Sequence, residues 1–252
     1  MDTGQETLLE EDIAENAFFQ DFLLFLREAG TRPLGLTKTG NLKRAEIYYF
    51  GEHFAIDIYH RNTNGTIMFP IRTEYEAPHL LRIRLIARVM KLVYSRKSTL
   101  LLSKKGKIFL DQSPPTRFDE MIHSYFIHCN WGYMHPTLYE LARTLQEEQF
   151  HFWNYFLQQQ NKPIDFQQFV QGVSFYFGLK TTNDYHNDVQ WALEYVLIKD
   201  LALFDLLDVK TVKDGWKERI VSFQPTDVGV YIFKKSLFGI TKGSDDKKSY
   251  NN

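Results

Sequence analysis

The chain has one cysteine, Cys129, in 252 residues, so no disulfide can form within it. That argues against a small fold stapled by bridges and makes the cytoplasm the expected location. No stretch approaches the roughly 18 uncharged apolar residues of a membrane helix. The N-terminus carries Asp2, Glu6, Glu10, Glu11, Asp12 and Glu15 where a secretory signal would be basic, so neither export nor a membrane partner is expected. Net charge is also missing: 30 Lys and Arg against 31 Asp and Glu leave a formal −1. A chain so balanced does not coat nucleic acid, and a charge-driven partner must be met by a local patch. The sequence has no Gly-rich phosphate cradle, no nucleophile elbow and no His-Glu-x-x-His motif. No catalytic residue, cofactor or metal is therefore expected, and the protein reads as a non-enzyme.

What is abundant is aromatic: 21 Phe and 14 Tyr. Phe18, Phe22, Phe25 and Ala29, with Phe19, Leu23 and Leu26 beside them, recur at helical spacing from Ala17 to Ala29 and stop at Gly30. A short strand at Leu34 to Leu36 and a turn at Thr37-Lys-Thr-Gly40 precede a second helix from about Lys43 to Phe54. Ile56, Ile58, Ile67 and Phe69 alternate around Asn64-Gly65, which predicts a β-hairpin. Pro78 suits the first turn of a helix running to about Lys91. Leu92 to Ser95 and Thr99 to Leu102 form two β-prone runs about the polar turn Arg96-Lys-Ser98, and Ser103 caps a helix from Lys104 to Leu110.

After Ser113-Pro-Pro115 comes an aromatic junction and then a second helical block. Leu138, Leu141, Leu145, Phe152 and Phe156 keep one face, and helices follow at Ile164 to Phe177 and Val189 to Leu201. Asn161-Lys-Pro163 and Thr181-Thr-Asn-Asp184 separate them. Val209 to Val212 and Arg219 to Phe223 flank Asp214-Gly215 as a second hairpin, and Thr226 opens a last helix to about Leu237. The two halves share a junction: Ser103-Lys-Lys-Gly106-Lys-Ile-Phe-Leu110 aligns with Thr226-Asp-Val-Gly229-Val-Tyr-Ile-Phe233, and Thr37-Lys-Thr-Gly40 starts alike. The expected architecture is mainly α with short β-hairpins (α+β), as two tandem winged-helix-like units. The divisions are an acidic segment 1–16, a first unit 17–115, an aromatic junction 116–136, a second unit 137–238 and a disordered tail 239–252.

The Ser/Thr-x-x-Gly plus apolar run after a strand resembles the wing-to-final-helix junction of bacterial winged-helix regulators of the MarR and PadR kind. The order from Leu36-Thr-Lys-Thr-Gly40-Asn-Leu42 to Leu110 also resembles a winged-helix region of uncharacterised bacterial proteins named after plasmid open reading frames. The resemblance covers residues 34–110, with a weaker echo in 185–237, and it implies a fold more than a function.

Between Arg82 and Leu110 stand nine cations, Arg82, Arg84, Arg88, Lys91, Arg96, Lys97, Lys104, Lys105 and Lys107, and no Asp or Glu. At about 100° per residue, Arg84, Arg88 and Lys91 fall within roughly 60° of one another, opposite Ile83, Leu85, Ile86, Val89 and Met90. In a winged helix this is a recognition helix with Arg96 and Lys97 at the wing tip. The candidate nucleic-acid contacts are Arg84, Arg88, Lys91, Arg96, Lys97 and Lys104, with duplex DNA the favoured partner. The alternative is a basic face that meets an acidic protein or the chain's own acidic segment. In the second half Asp184, Asp188, Glu194, Asp200, Asp205 and Asp208 face only Lys199, which fits a packing module or a contact with a protein partner or a second copy through 137–238. His123, His128, Cys129 and His135 match no common zinc spacing, and their aromatic neighbours suggest burial.

Overall fold

The computed structural model describes residues 3–59, 61, 64–176, 183–214 and 217–246. The fold is α+β, mainly helical with two small antiparallel sheets of three strands each. The chain divides into two compact units, Met1–Cys129 and Asn130–Asn252.

In the first unit the acidic segment is a helix, α1 (Thr3–Glu15), with Ile13 fully buried. Asn16 then caps α2 (Ala17–Thr31), its Oδ1 accepting from the Phe19 amide at 2.7 Å. The Phe stripe of α2 is the centre of this unit: Phe18, Phe19, Phe22, Phe25 and Leu26 are all buried. Around it lie β1 (Leu34–Gly35), α3 (Arg44–His53), a 3-10 turn (Glu74–Glu76), α4 (Pro78–Val89), β2 (Val93–Arg96), β3 (Thr99–Leu102), α5 (Lys104–Leu110) and α6 (Pro114–His128). The strands order as β1-β3-β2, with Leu34 opposite Leu100 and Arg96 opposite Thr99.

The second unit contains α7 (Trp131–Met134), a 3-10 turn (Pro136–Leu138), α8 (Tyr139–Glu147), α9 (Gln149–Gln158), β4 (Ile164–Asp165) and α10 (Phe166–Tyr176). A long helix follows as α11 (Asn183–Ala192), a π-helical stretch (Leu193–Ile198) and α12 (Lys199–Leu203). Then come β5 (Leu207–Asp214), β6 (Lys217–Pro225) and α13 (Asp227–Asp246), with strand order β4-β6-β5. Its core is aromatic: Trp153 stacks on Phe233 at 4.8 Å, and the rings of Phe156 and Phe169 meet the Phe223 ring edge-on at 5.6 and 5.2 Å. Phe152, Trp153 and Phe156 are thus interior, while Tyr155 is exposed.

The two units repeat one order, helix, strand, helix, helix, hairpin, helix, and one chemical junction. After α4 the chain turns at Lys91 (φ 60°), and after α12 it turns at Asp205 (φ 53°). The Leu92 amide reaches back to the Ala87 carbonyl at 2.9 Å and the Lys91 amide to Arg88 at 2.9 Å. Leu206 bonds Leu201 at 2.9 Å and Asp205 bonds Ala202 at 3.0 Å in the same way, a Schellman closure in both cases. The hairpin then returns so that the Ser103 amide donates to the Leu92 carbonyl at 2.8 Å, and the Thr226 amide to Leu206 at 3.2 Å. Each hydroxyl donates to the turn, Ser103 to Lys91 at 2.7 Å and Thr226 to Asp205 at 2.5 Å, and each accepts a glycine amide at 2.9 Å. Thr37-Lys-Thr-Gly40 is different. It is a tight turn with Gly40 at φ 82° and caps no helix.

Several expectations change. The hairpin about Asn64-Gly65 reduces to one bridge, Arg61 with Ile67, in a segment where residues 60, 62 and 63 lie outside the described set. The continuous face from Leu138 to Phe156 is broken into α8 and α9 at Glu148. Residues 116–128 of the supposed junction belong to α6, whose Phe118, Met121, Ile122 and Tyr125 are in the core of the first unit. Backbone of the supposed tail continues α13 to Asp246, and residues 247–252 lie outside the described set, as do Thr181, Thr182 and Gly215 of the predicted turns.

A Cβ on Gly106 would overlap the Leu92 carbonyl oxygen, and one on Gly229 the Leu206 carbonyl oxygen, whereas nothing lies within 4 Å of the same position on Gly172 in α10. Gly106→Ala and Gly229→Ala are expected to destabilise by about 1–3 kcal/mol through overpacking. Gly172→Ala should stabilise by about 0.5–1 kcal/mol through helix propensity. Urea unfolding of the three variants checks the contrast.

Candidate nucleic-acid interface

The six candidate cations separate into one interior residue and five exposed ones. Arg84 is 4% exposed and forms an ion pair through Nε with Glu74, which is 1% exposed. The remaining nitrogens of Arg84 reach the Gly40 carbonyl at 3.4 Å and Asn41 Oδ1 at 3.5 Å, while Glu74 also accepts the Leu42 amide at 3.0 Å. Arg84 therefore ties α4 to the Gly40 turn and is not on the exposed surface. The sequence geometry missed this because α4 is buried on two sides: α2 and α6 both pack against it, so Leu80 and Ala87, next to Arg84 on the helix, are buried along with Ile83 and Ile86. What remains outward is Pro78 at the helix start and Arg88 and Val89 at its end, with Leu81, Arg82 and Leu85 half-buried.

Arg88, Lys91, Arg96, Lys97 and Lys104 are exposed, as are Lys105 and Lys107. Lys97 occupies the left-handed region (φ 54°) in the two-residue loop of the β2–β3 hairpin, and the Thr99 hydroxyl donates to the Arg96 carbonyl at 2.8 Å to close that turn. Among the described residues none of these seven cations forms an ion pair, and the exposed acids of α1, Glu10, Glu11, Asp12 and Glu15, form none with them. Tyr94 adds a half-exposed ring on β2. The surface is thus a cationic helix end, hairpin tip and α5.

The second unit is less acidic outside than its composition suggests. Asp200 is buried against His135 at 3.1 Å, and Glu194 pairs with Lys199 at 2.8 Å. Asp205 is exposed in the left-handed turn, and the side chain of Asp184 lies outside the described residues. The His/Cys set is dispersed. His123 and His128 are exposed, their rings 5.7 Å apart, Cys129 is buried, and His135 is held by Asp200. Among the described residues no group of three His, Cys, Asp or Glu side chains is arranged to hold a metal ion.

Sequence reasoning missed a second buried brace. Asp21, 1% exposed, accepts the Ala55 and Ile56 amides at 2.6 and 3.1 Å and meets His79 Nε2 at 2.8 Å. Its signal was available: a carboxylate standing between Phe18, Phe22 and Phe25 on the apolar face of α2 must have interior partners. Glu74 left no such mark.

Removing the charge of a buried pair strands its partner, so Glu74→Gln is expected to cost about 3–5 kcal/mol of stability. Arg88→Gln, on the surface, should stay within about 0.5 kcal/mol. Chemical denaturation separates the two. Burial raises the Cys129 thiol to about 12 despite the opposing charge of Arg82, from an ordinary value of 9.0. The thiol form is the one the fold favours, so its stabilisation is complete below pH 9.0 and is lost as pH climbs toward 12. Native protein at pH 8 should alkylate with iodoacetamide far more slowly than urea-unfolded protein, and a rate equal to that of the unfolded chain would contradict the burial.

A family model described as the Y4jL N-terminal domain matches residues 16–115, the span from the Asn16 cap through α2 to α5 and into the first turn of α6. No curated protein and no solved structure matches the chain.

Proposed function

We propose that the first unit is a winged-helix-like module that binds nucleic acid, duplex DNA in preference, by gripping phosphates with its hairpin and flanking helix ends. The observation that carries this reading is the run of exposed cations Arg88, Lys91, Arg96, Lys97, Lys104, Lys105 and Lys107, with no acid between them and no ion pair among the described residues. The order of α2, β1, α3, α4, β2 and β3, with β3 between the other two strands, supports the winged-helix reading. The burial of Arg84, and of much of α4 under α6, turns the proposed mode away from base readout by a recognition helix. Phosphate contact positions a protein without specifying sequence, so the affinity should be general and salt-dependent.

The protein acts by binding rather than catalysis, without cofactor or metal, in the cytoplasm. Among the described residues no helix is long and apolar enough to cross a membrane. A second reading concerns the second unit. Phe175 is 90% exposed, Tyr176 64%, and Trp191 and Tyr195 are each exposed by roughly half. Surfaces of this composition favour a protein contact.

Charge is removed without disturbing the interior by combining Arg96→Gln, Lys97→Asn and Lys104→Gln, since Asn tolerates the left-handed turn. Fluorescence anisotropy with a duplex should show weakened binding for this variant. Each lost phosphate contact should reduce the slope of log affinity against log salt by roughly 0.9. Equal affinity and equal slope in wild type and variant would overturn the reading in favour of an acidic protein partner for the same face.

A further inference from the structure

A cavity of about 540 Å³ opens in the first unit between α2, the end of α3 and the start of α6. Its walls are of two kinds. Phe19, Leu23, Leu24, Phe54 and Pro114 are its apolar lining, and Arg27 and Arg117 bring two guanidinium groups to it beside the polar Gln20 and His53. Neither arginine forms an ion pair among the described residues. Arg117 donates from Nη1 to the Leu110 carbonyl at 3.2 Å and lies over the Phe19 ring, yet its Nε is buried with no partner in the protein. Burial, and secondarily the neighbouring charge of Arg27, pull its pKa below the ordinary guanidinium value.

Two like charges facing one cavity, one of them with an unused buried donor, cost free energy unless an anion joins them. Among the described residues Asp21 is the sole carboxylate in the cavity wall, and it does not fill that role. Its oxygens are taken by the Ala55 and Ile56 amides and by His79. The volume is that of a small-molecule pocket, and a lining that joins apolar side chains to two guanidinium groups specifies both parts of an occupant. A guanidinium is the group that receives a carboxylate or phosphoryl head with paired donors.

We infer that this cavity is a binding site for a small organic anion, its carboxylate or phosphoryl head held by Arg27 and Arg117 and its apolar body against Phe19, Leu23, Leu24 and Phe54. The site is built from α2 and α6 and uses none of the hairpin cations, so it stands whether or not the first unit binds nucleic acid.

Isothermal titration of the full chain at constant ionic strength tests it, with phenyl phosphate and benzoate as probes and inorganic phosphate and benzyl alcohol as the two half-molecules. One phenyl phosphate or one benzoate is expected per chain, each half-molecule binding much more weakly. Arg27→Gln, a change at an exposed side chain that leaves the Arg117 packing in place, should weaken the organic anion about tenfold or more, as expected for loss of a charged hydrogen-bond partner. Leu24→Gln should weaken the organic anions and leave inorganic phosphate unchanged, and Arg88→Gln should bind as wild type. Absence of binding by both organic probes, equal binding by Arg27→Gln and wild type, or inorganic phosphate binding as tightly as phenyl phosphate would each overturn the assignment.

Discussion

The contact on which both units depend is a carbonyl oxygen set against a glycine. Leu92 and Leu206 each follow a left-handed residue at the end of a helix, and the oxygen of each accepts the first amide of the junction after the hairpin. That oxygen also lies against the Cα of Gly106 or Gly229, so close that any side chain there would overlap it. A Ser or Thr hydroxyl bridges the turn to the glycine amide and completes the closure. Three parts of the chain are thereby fixed at one point: the end of a helix, the base of a hairpin and the start of the next helix. The hairpin of the first unit, with its Arg96 and Lys97 tip, has its position from this closure.

The second organising constraint is that charge inside the first unit is used for construction. Glu74 with Arg84 fastens α4 to the Gly40 turn, and Asp21 fastens α2 to the 55–56 backbone and to His79. Such groups are costly to desolvate and hold one geometry once paired. They explain why Arg84, in a helix rich in arginine, faces the interior. The stretch from Arg88 to Lys107 differs in carrying only cations, all of them exposed and without an ion pair among the described residues.

Much of this was legible in the residues. The Phe stripe of α2, the proline that opens α4, the hairpin around Arg96-Lys-Ser98 and the Ser103 and Thr226 caps all appear where their chemistry places them, because each rests on local rules of spacing and capping. The Ser103–Gly106 and Thr226–Gly229 likeness was visible as a pattern, and its cause was hidden, since the carbonyl that demands the glycine belongs to a residue 14 or 23 positions earlier. Arg84 was misplaced for a similar reason. A helical wheel shows which side chains share a face, but it does not show that α6 covers a second face or that Glu74, ten residues back, waits inside. The cavity beside Arg27 and Arg117 could not be read at all, as those residues are joined only by the packing of α6 on the rest of the unit.

In the proposed function, nucleic acid touches the chain at the exposed cations from Arg88 to Lys107. The most direct measurement is an amide-resolved NMR titration of the labelled full chain with a short duplex at low salt. Shifts are expected to be confined to residues 88–107 and reversed by added salt, with the Arg84 and Glu74 signals and those of α11 and α12 unmoved. Shifts centred on the second unit, or none at any duplex concentration, would contradict it.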